Sequence, residues 1–190
     1  MDNERGPVEQ ILAGDKDAFA RFIDRYKALV VHVVYRMIPN REDREDILQE
    51  VFMKIYRSLA GFRFESKLST WVARVAYNTC VNHLNKKREL LLEEFRPDLE
   101  TLDELAGDGE RPDQSAEGMD VSLRLRAEIE KLPLAYRTIL TLYHLEEMSY
   151  KEIGEIMGLP EGTVKSYLFR ARKHLKARLL SGYRREDLWS

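Results

Sequence analysis

Residues 149–178 read SYKEIGEIMGLPEGTVKSYLFRARKHLKAR, which is the pattern of two helices joined by a tight turn. Ser149 and Glu152 fit a capping box, in which each side chain hydrogen-bonds the other residue's backbone amide at a helix start. Gly158 suits the left-handed conformation that ends many helices, and Leu159 can fill the angle between the two helices. The stretch therefore predicts a helix-turn-helix.

The second helix of this motif is predicted to have one apolar side and one strongly basic side. Thr163 is placed to cap its first turn. Between Glu161 and Leu180, six basic side chains stand against one acidic side chain. A helix fits the major groove, where Lys and Arg meet phosphates and guanine edges, so we favour a DNA-reading helix over a merely solvated basic surface. The basic positions are Lys165, Arg170, Arg172, Lys173, Lys176 and Arg178.

The remaining chain predicts helices only, because no segment alternates apolar and polar residues with the period of a strand. We expect an all-α protein of two helical domains. The first is a bundle over residues 1–92, and the second is the helix-turn-helix bundle over residues 121–190. The predicted helices of the first bundle cover residues near 8–13, then 15–37, about 42–59 and about 69–88.

Residues 93–120 are predicted to form a flexible acidic linker between the two bundles. From Glu93 to Gly118, ten acidic residues outnumber two basic ones. Gly107, Gly109 and Pro112 further discourage helix, and such a composition cannot bury enough apolar surface to form a core.

Composition and charge exclude several classes of protein. A net charge of −2 excludes a free-standing polycation, so DNA affinity must come from local charge asymmetry or from a partner. The single cysteine, Cys80, excludes an internal disulfide, and the four histidines are scattered. We therefore predict no catalytic residue, no metal, no cofactor and no small-molecule substrate. No apolar run reaches the ~20 residues of a membrane span, and the first residues are unlike a secretory signal, so we expect a cytoplasmic protein without direct membrane insertion.

A polar patch is predicted on the second long helix. Asp46, Gln49 and Glu50 share one side of that helix, away from its apolar stripe, and Met53 extends the patch. Taken alone, the pattern favours an ordinary solvated face, since a helix dipole stabilises carboxylates near the helix start. Nothing nearby indicates a catalytic pair of carboxylates.

The loop over residues 62–68 and the helix after it combine aromatic, amide and basic side chains. Aromatic rings can stack bases, amides can bond base edges and cations can bind phosphates, so the combination predicts a single-strand binding site. Trp71 is equally compatible with a core position. The candidate contacts are Phe62, Arg63, Phe64, Lys67, Trp71, Tyr77, Asn78, Asn82, Lys86 and Arg88.

The order and spacing of several short motifs together resemble the extracytoplasmic-function sigma factors of bacterial RNA polymerase. The resemblance covers both lobes, and the linker and the chain ends lie outside it. The motifs are DILQEVF (46–52), FR (62–63), STW (69–71), AYNT (76–79), SYKEI (149–153) and GTVKS (162–166).

This resemblance implies a role for each lobe. The patch of Asp46, Gln49, Glu50 and Met53 would dock on the clamp helices of core RNA polymerase, and the single-strand site would hold flipped bases of the −10 promoter element. An anti-sigma factor is a further partner implied by the family. The residues that would contact the −35 element of promoter DNA are Thr163, Lys165, Ser166, Phe169, Arg170, Arg172 and Lys173.

Two other interpretations remain open from the sequence. One is a dimeric helix-turn-helix regulator that binds DNA independently of polymerase, although the first lobe lacks the alternating strands of a receiver module. The other is an adaptor that keeps the same surfaces without melting DNA. An enzyme is the least favoured class.

Overall fold

The computed structural model describes residues 4–87 and 121–182, and the linker lies outside this part of the chain. The described residues contain helices and no strand, which confirms the all-α prediction. A 3₁₀ turn, Leu59–Gly61, follows the third helix. The helices are α1 (Arg5–Leu12), α2 (Lys16–Met37), α3 (Arg41–Ser58), α4 (Leu68–Lys87), α5 (Val121–Glu130), α6 (Leu134–His144), α7 (Tyr150–Met157) and α8 (Glu161–Gly182).

Side-chain caps fix the starts of α2 and α3. Asp15 Oδ1 accepts hydrogen bonds from the amides of Asp17 at 2.9 Å and Ala18 at 3.0 Å, as its position before the apolar stripe indicates. Asn40 Oδ1 accepts from the amide of Glu42 at 3.0 Å. Asn40 therefore caps α3 shortly after α2 ends at Met37.

The first bundle packs α2 against α1, α3 and α4. Its centre consists of fully buried residues of α2, α3 and α4, among them Val33, Val51 and Val72. Cys80 is also buried there, and burial raises the pKa of its thiol to about 12. The cysteine is therefore a small core side chain rather than a nucleophile.

An acidic residue just before α1 connects three parts of the first bundle. Glu4 accepts hydrogen bonds from Arg25 at 3.2 Å and from the hydroxyl of Tyr26 at 3.0 Å, both on α2. Its second oxygen accepts from the amide of Leu68 at 3.4 Å, at the start of α4. A single carboxylate thus ties the chain start and α2 to the loop before α4.

The second bundle packs α8 against α5, α6 and α7 around Tyr136, Ile139, Ile153 and Leu168. One detail of the sequence prediction is wrong here. Thr163 does not cap α8, because the helix begins at Glu161 and the amide of Thr163 already donates to the Pro160 carbonyl at 2.9 Å.

The two bundles pack against each other, an arrangement that the sequence leaves open. Helix α6 lies on α2, α7 lies on α4, and the buried apolar residues of both bundles form one continuous cluster. Around this apolar contact, three basic side chains of the first bundle meet carboxylates of the second. The pairs are His32 with Glu146, Arg36 with Glu130, and Lys67 with Glu152.

Candidate nucleic-acid interface

The helix-turn-helix forms as the sequence predicts. The amide of Glu152 donates to Ser149 Oγ at 3.3 Å, and Glu152 Oε2 accepts from the Ser149 amide at 2.8 Å, so both halves of the capping box are present. Gly158 ends α7 with φ at 68°, in the left-handed region. The turn therefore directs α8 across α7 with its backbone groups satisfied.

The structure gives a further residue of this motif, Gly154, a structural role. A Cβ on Gly154 would lie 2.7 Å from the carbonyl oxygen of Leu159, which is closer than real side chains come. Gly154 therefore allows the turn after α7 to fold back closely on that helix. A glycine four residues before the turn is the one sequence signal that could have indicated this contact.

The predicted duplex-reading side chains of α8 share an open surface. Lys165, Ser166, Phe169, Arg172 and Lys173 are exposed, and Phe169 is 70% exposed although it is a large apolar residue. Such a ring on a helix is placed to contact an apolar group of a partner, for example a thymine methyl.

The other two predicted contacts of α8, Thr163 and Arg170, are half-buried. Two of the exposed side chains also form bonds within α8. Lys165 forms an ion pair with Glu161 at 3.0 Å, and the Ser166 hydroxyl donates to the Gly162 carbonyl at 3.0 Å. These two bonds stay within about one turn of α8.

The predicted single-strand site is divided between core and surface. Phe62, Trp71 and Tyr77 are each only 8% exposed, and Phe64 is half-buried. The polar residues of the predicted single-strand site are open to solvent. They are Arg63, Lys67, Asn78, Asn82 and Lys86. Arg88 lies outside the described residues.

Aromatic contacts hold the loop before α4. The ring of Phe62 lies 5.2 Å from that of Trp71 and 4.6 Å from that of Phe64, measured between centroids. The guanidinium of Arg5 lies over the Phe64 ring at 5.1 Å. Phe64 has a φ of 57°, which costs a non-glycine residue of order 1–3 kcal/mol and needs surrounding contacts to persist. The three rings supply those contacts and fix the loop.

Part of this site is in contact with the second bundle. Lys67 forms an ion pair with Glu152 at 2.9 Å, and the Thr70 hydroxyl donates to the same carboxylate at 3.3 Å. Partial burial alone would raise the pKa of Glu152. Hydrogen bonds from Ser149 and the nearby Lys67 ammonium outweigh it and lower this pKa to about 2.

Tyr77 also lies at the contact between the bundles. Burial and the neighbouring Cys80 and Tyr167 raise the pKa of its phenol to about 12, and Tyr167 belongs to α8. Its 8% exposure shields the phenol from water. It is not presented to solvent in this arrangement.

The C-terminal half of α4 meets the polar patch of α3. Asn82 and Lys86 line a polar pocket of about 400 Å³ together with Asn85, His83, Glu50 and Lys54. The structure thus brings two predicted DNA contacts beside a predicted polymerase contact, Glu50.

The predicted polymerase patch is open and its members are adjacent. Asp46, Gln49, Glu50 and Met53 are all exposed and line one shallow groove of about 230 Å³. Glu50 pairs with Lys54 at 2.7 Å, and the hydrogen bond from that lysine lowers the pKa of the Glu50 carboxyl. Both partners of this pair are partly exposed, so it is a weak constraint.

An apolar groove continues this patch between α2 and α3, and no pattern in the sequence indicates it. The groove has a volume of about 820 Å³. Tyr56 is half exposed on its wall, with its ring 4.9 Å from that of Phe19. Apolar clefts of this kind receive apolar side chains of protein partners. The apolar and aromatic residues that line it are Phe19, Ile23, Val31, Leu48, Phe52, Met53 and Tyr56.

Among residues 4–87 and 121–182, no group of three or more His, Cys, Asp and Glu side chains is arranged to hold a metal ion. No helix in the same ranges is long and apolar enough to cross a membrane.

Comparison with known proteins links both bundles to one family. Residues 22–89 match the family model of Sigma-70 region 2, and residues 122–175 match that of Sigma-70, region 4. The chain is 35% identical to the ECF RNA polymerase sigma factor SigW of Bacillus subtilis, over 90% of this chain and 94% of that protein. It is 38% identical to the ECF RNA polymerase sigma-E factor of Haemophilus influenzae, over 90% of this chain and 93% of that protein.

The fold has a counterpart among solved structures. The structure of CnrH in complex with the cytosolic domain of CnrY superimposes with a TM-score of 0.67, covering 96% of this chain and 100% of that one. The sequences are 21% identical, so this similarity concerns the fold.

Proposed function

Because this chain belongs to the extracytoplasmic-function sigma factors of RNA polymerase, we propose that its two bundles divide promoter recognition between duplex and single-stranded DNA. As an RNA polymerase sigma factor it directs the core enzyme to promoters. One observation carries the division of labour: the basic surface of α8 stays exposed in the packed arrangement, whereas the aromatic rings of the single-strand site are buried.

On this proposal, α8 reads the −35 element as duplex. Lys165, Arg172 and Lys173 supply cations on one exposed surface, which suits phosphates and guanine edges of the major groove. Phe169 adds an apolar contact beside them. The net charge of −2 fits this role, since core polymerase supplies most of the non-specific DNA affinity and the sigma subunit supplies discrimination.

The first bundle captures unpaired bases of the −10 element. The exposed side chains Arg63, Asn78, Asn82 and Lys86 make the polar contacts in this proposal, and Arg88 extends them. The buried rings of Phe62 and Trp71 act from beneath by fixing the loop. Lys67 is exposed but paired with Glu152 of the second bundle, and Tyr77 is buried, so separation of the bundles would free both for the site.

The surface of α3 binds core polymerase. The open patch of Asp46, Gln49, Glu50 and Met53 provides charge and hydrogen bonds, and the apolar groove beside it provides buried area. A protein interface combines an apolar centre with a polar rim, and these two neighbouring surfaces supply both. Clamp helices of the polymerase are the partner in this proposal.

An anti-sigma factor completes the set of partners. CnrH is described in complex with the cytosolic domain of CnrY, and the sigma factor RpoE of Bartonella quintana in complex with the anti-sigma factor NepR. We extend this mode of control to the present chain, which acts in the cytoplasm with polymerase and has no catalytic activity of its own.

Run-off transcription tests the proposal. Purified bacterial core polymerase and a pool of promoter templates should yield specific transcripts only when this chain is added. The variant Asp46→Lys/Glu50→Lys should lose core binding, while Glu9→Lys, at an exposed acidic position on α1 that lines neither groove, serves as the charge control. A chain that fails to bind core polymerase, yet binds palindromic DNA as a dimer, would refute the proposal in favour of an independent regulator.

A further inference from the structure

Two tyrosines outside α8 lie directly beneath the basic surface of that helix. Tyr143 is near the end of α6 and Tyr150 is the first residue of α7. Their rings are stacked, with centroids 5.3 Å apart and planes inclined by 15°. Both residues are half-buried and pack against the core of the second bundle, so the pair is a fixed part of that bundle.

Each ring carries one cation of α8. The guanidinium carbon of Arg172 lies 5.1 Å from the centroid of the Tyr143 ring, and Lys165 Nζ lies 5.4 Å from that of Tyr150. Lys165 and Arg172 are seven residues apart, which is about two helical turns, so they share one side of α8. Arg172 Nη2 also donates to His144 Nε2 at 3.2 Å.

We propose that Tyr143 and Tyr150 are positioning residues for promoter binding, which hold Arg172 and Lys165 in the orientation that meets DNA phosphates. The inference rests on the proposed function of α8. The tyrosines act through the two cations and need not contact the DNA themselves.

An aromatic ring is suited to this task because it orients a cation without neutralising it. The ring quadrupole attracts Lys or Arg, but the full positive charge remains available to an incoming phosphate. Glu161, which also pairs with Lys165 at 3.0 Å, has the opposite effect, because its carboxylate competes with phosphate for the same ammonium. A phosphate can replace Glu161 while the ring stays in place.

Preorientation matters because both side chains are long and flexible. Ordering such a side chain on binding opposes association, and a chain that is already ordered avoids that loss. His144 contributes on the Arg172 side, since its neutral imidazole accepts a hydrogen bond from the guanidinium. The rings thus convert two mobile charges into a fixed pair.

The test compares leucine and phenylalanine variants of the full chain, assembled with core polymerase. The probe is duplex promoter DNA selected from a randomised library by the wild-type holoenzyme. Tyr143→Leu/Tyr150→Leu should weaken binding about tenfold, and the slope of log affinity against log salt should fall by up to about 2, because two phosphate contacts are lost. Tyr143→Phe/Tyr150→Phe keeps the rings and should retain both affinity and slope.

Tyr35→Leu is the matched control. Tyr35 is an exposed tyrosine of α2 with the guanidinium of Arg44 4.7 Å from its ring centroid, so it loses the same kind of contact away from α8. It should leave affinity and slope unchanged. Thermal unfolding of each variant identifies any that fail to fold, and the single variant Tyr150→Leu replaces the double one in that case.

A double-mutant cycle separates positioning from stability. Adding Lys165→Met and Arg172→Met to the leucine variant should cause little further loss, whereas the same pair in the wild type should cost about tenfold. The proposal is overturned if the leucine variant keeps its affinity and slope. It is also overturned if the phenylalanine variant loses as much as the leucine variant, because the hydroxyls and not the rings would then carry the effect. Absence of duplex binding by the wild-type holoenzyme would reject the proposed function and this inference together.

Discussion

The two candidate DNA surfaces differ in how open they are in the free chain. On α8 the basic side is exposed, and Phe169 is 70% exposed. In the first bundle Tyr77 is 8% exposed, beside Tyr167 of the second bundle, and Lys67 is paired with Glu152 of the second bundle. We infer that the chain is ready to read duplex DNA and must rearrange before it captures unpaired bases.

This difference corresponds to the order of events at a promoter, where the DNA is double-stranded before it is melted. The contact between the bundles is partly apolar and partly ionic, with His32, Arg36 and Lys67 facing carboxylates. Because exposed and half-exposed ion pairs are individually weak, a large partner can replace them at modest cost. In the proposed function, core polymerase is the partner that replaces these ion pairs.

The largest effect should come from locking the bundles together. Cysteines at His32 and Glu146, whose side chains are in contact across the two bundles and partly exposed, can be joined by a short, reducible bismaleimide, because the native Cys80 is buried and unreactive. The lock should reduce open-complex formation at least about 100-fold, since it removes the separated state, and change duplex binding by less than about threefold. Permanganate reactivity measures open-complex formation, and the fluorescence anisotropy of labelled duplex DNA measures duplex binding. Recovery after reduction is the control, and full melting by the locked protein would refute the need for separation.

Gly154→Ala should damage the duplex surface selectively. The added Cβ would meet the Leu159 carbonyl at 2.7 Å and push α8 away from its seat on α7. Overpacking of this kind costs about 2 kcal/mol of folding stability. Chemical denaturation should show the loss, with weaker duplex binding. Gly162→Ala is the control, because a Cβ there meets nothing within 4 Å; equal destabilisation by both would contradict the role of Gly154.

Asn78→Ala should damage the other surface. Its side chain is exposed on α4, so its loss should weaken open-complex formation about tenfold, or about 1.4 kcal/mol, through lost hydrogen bonds to an unpaired base. Duplex binding should stay unchanged. Arg74→Ala, at another exposed position of α4, is the comparison. Equal loss of duplex binding and melting would break the division between the two surfaces.

Glu152→Gln should give the smallest effect, together with a dependence on pH. The folded pKa of about 2 lies below the usual value of 4.5, so this carboxylate stabilises the fold above pH 4.5 and loses that contribution as the pH falls toward 2. After allowance for the exposed Lys67, the contribution is about 1 kcal/mol. The free energies of unfolding of the wild type and of Glu152→Gln, measured from pH 7 to pH 2.5, should become equal at the acid end. A constant difference across that range would assign the stability to another group.

How much could be predicted from the sequence depended on whether a feature is local. The capping box at Ser149 and the left-handed turn at Gly158 follow from residues within a few positions, and the structure contains both. Thr163 shows the limit of such rules. A hydroxyl residue near a helix start is a plausible cap, but here α8 begins after Pro160, whose carbonyl accepts the amides of Thr163 and Val164.

The features that the sequence could not predict are contacts between distant elements. Nothing near Glu130, Glu146 or Glu152 distinguishes a carboxylate that faces the other bundle from one that faces water. The apolar groove beside Met53 could not be predicted for the same reason. Phe19 and Tyr56 belong to different helices, and only the fold shows how those helices lie relative to each other. The residues of the DNA and polymerase surfaces remain predictions, to be tested by the variants above.

The distance between the two bundles shows whether they separate before unpaired DNA is bound. Fluorescent labels at Glu45 on α3 and Lys176 on α8, both exposed, can report it by energy transfer in the free chain, with core polymerase, and in the open promoter complex. High transfer is expected in the free chain, followed by a marked fall with polymerase that persists in the open complex. High transfer in an open complex that is fully active in transcription would contradict the claim that the packed bundles must separate before unpaired DNA is bound.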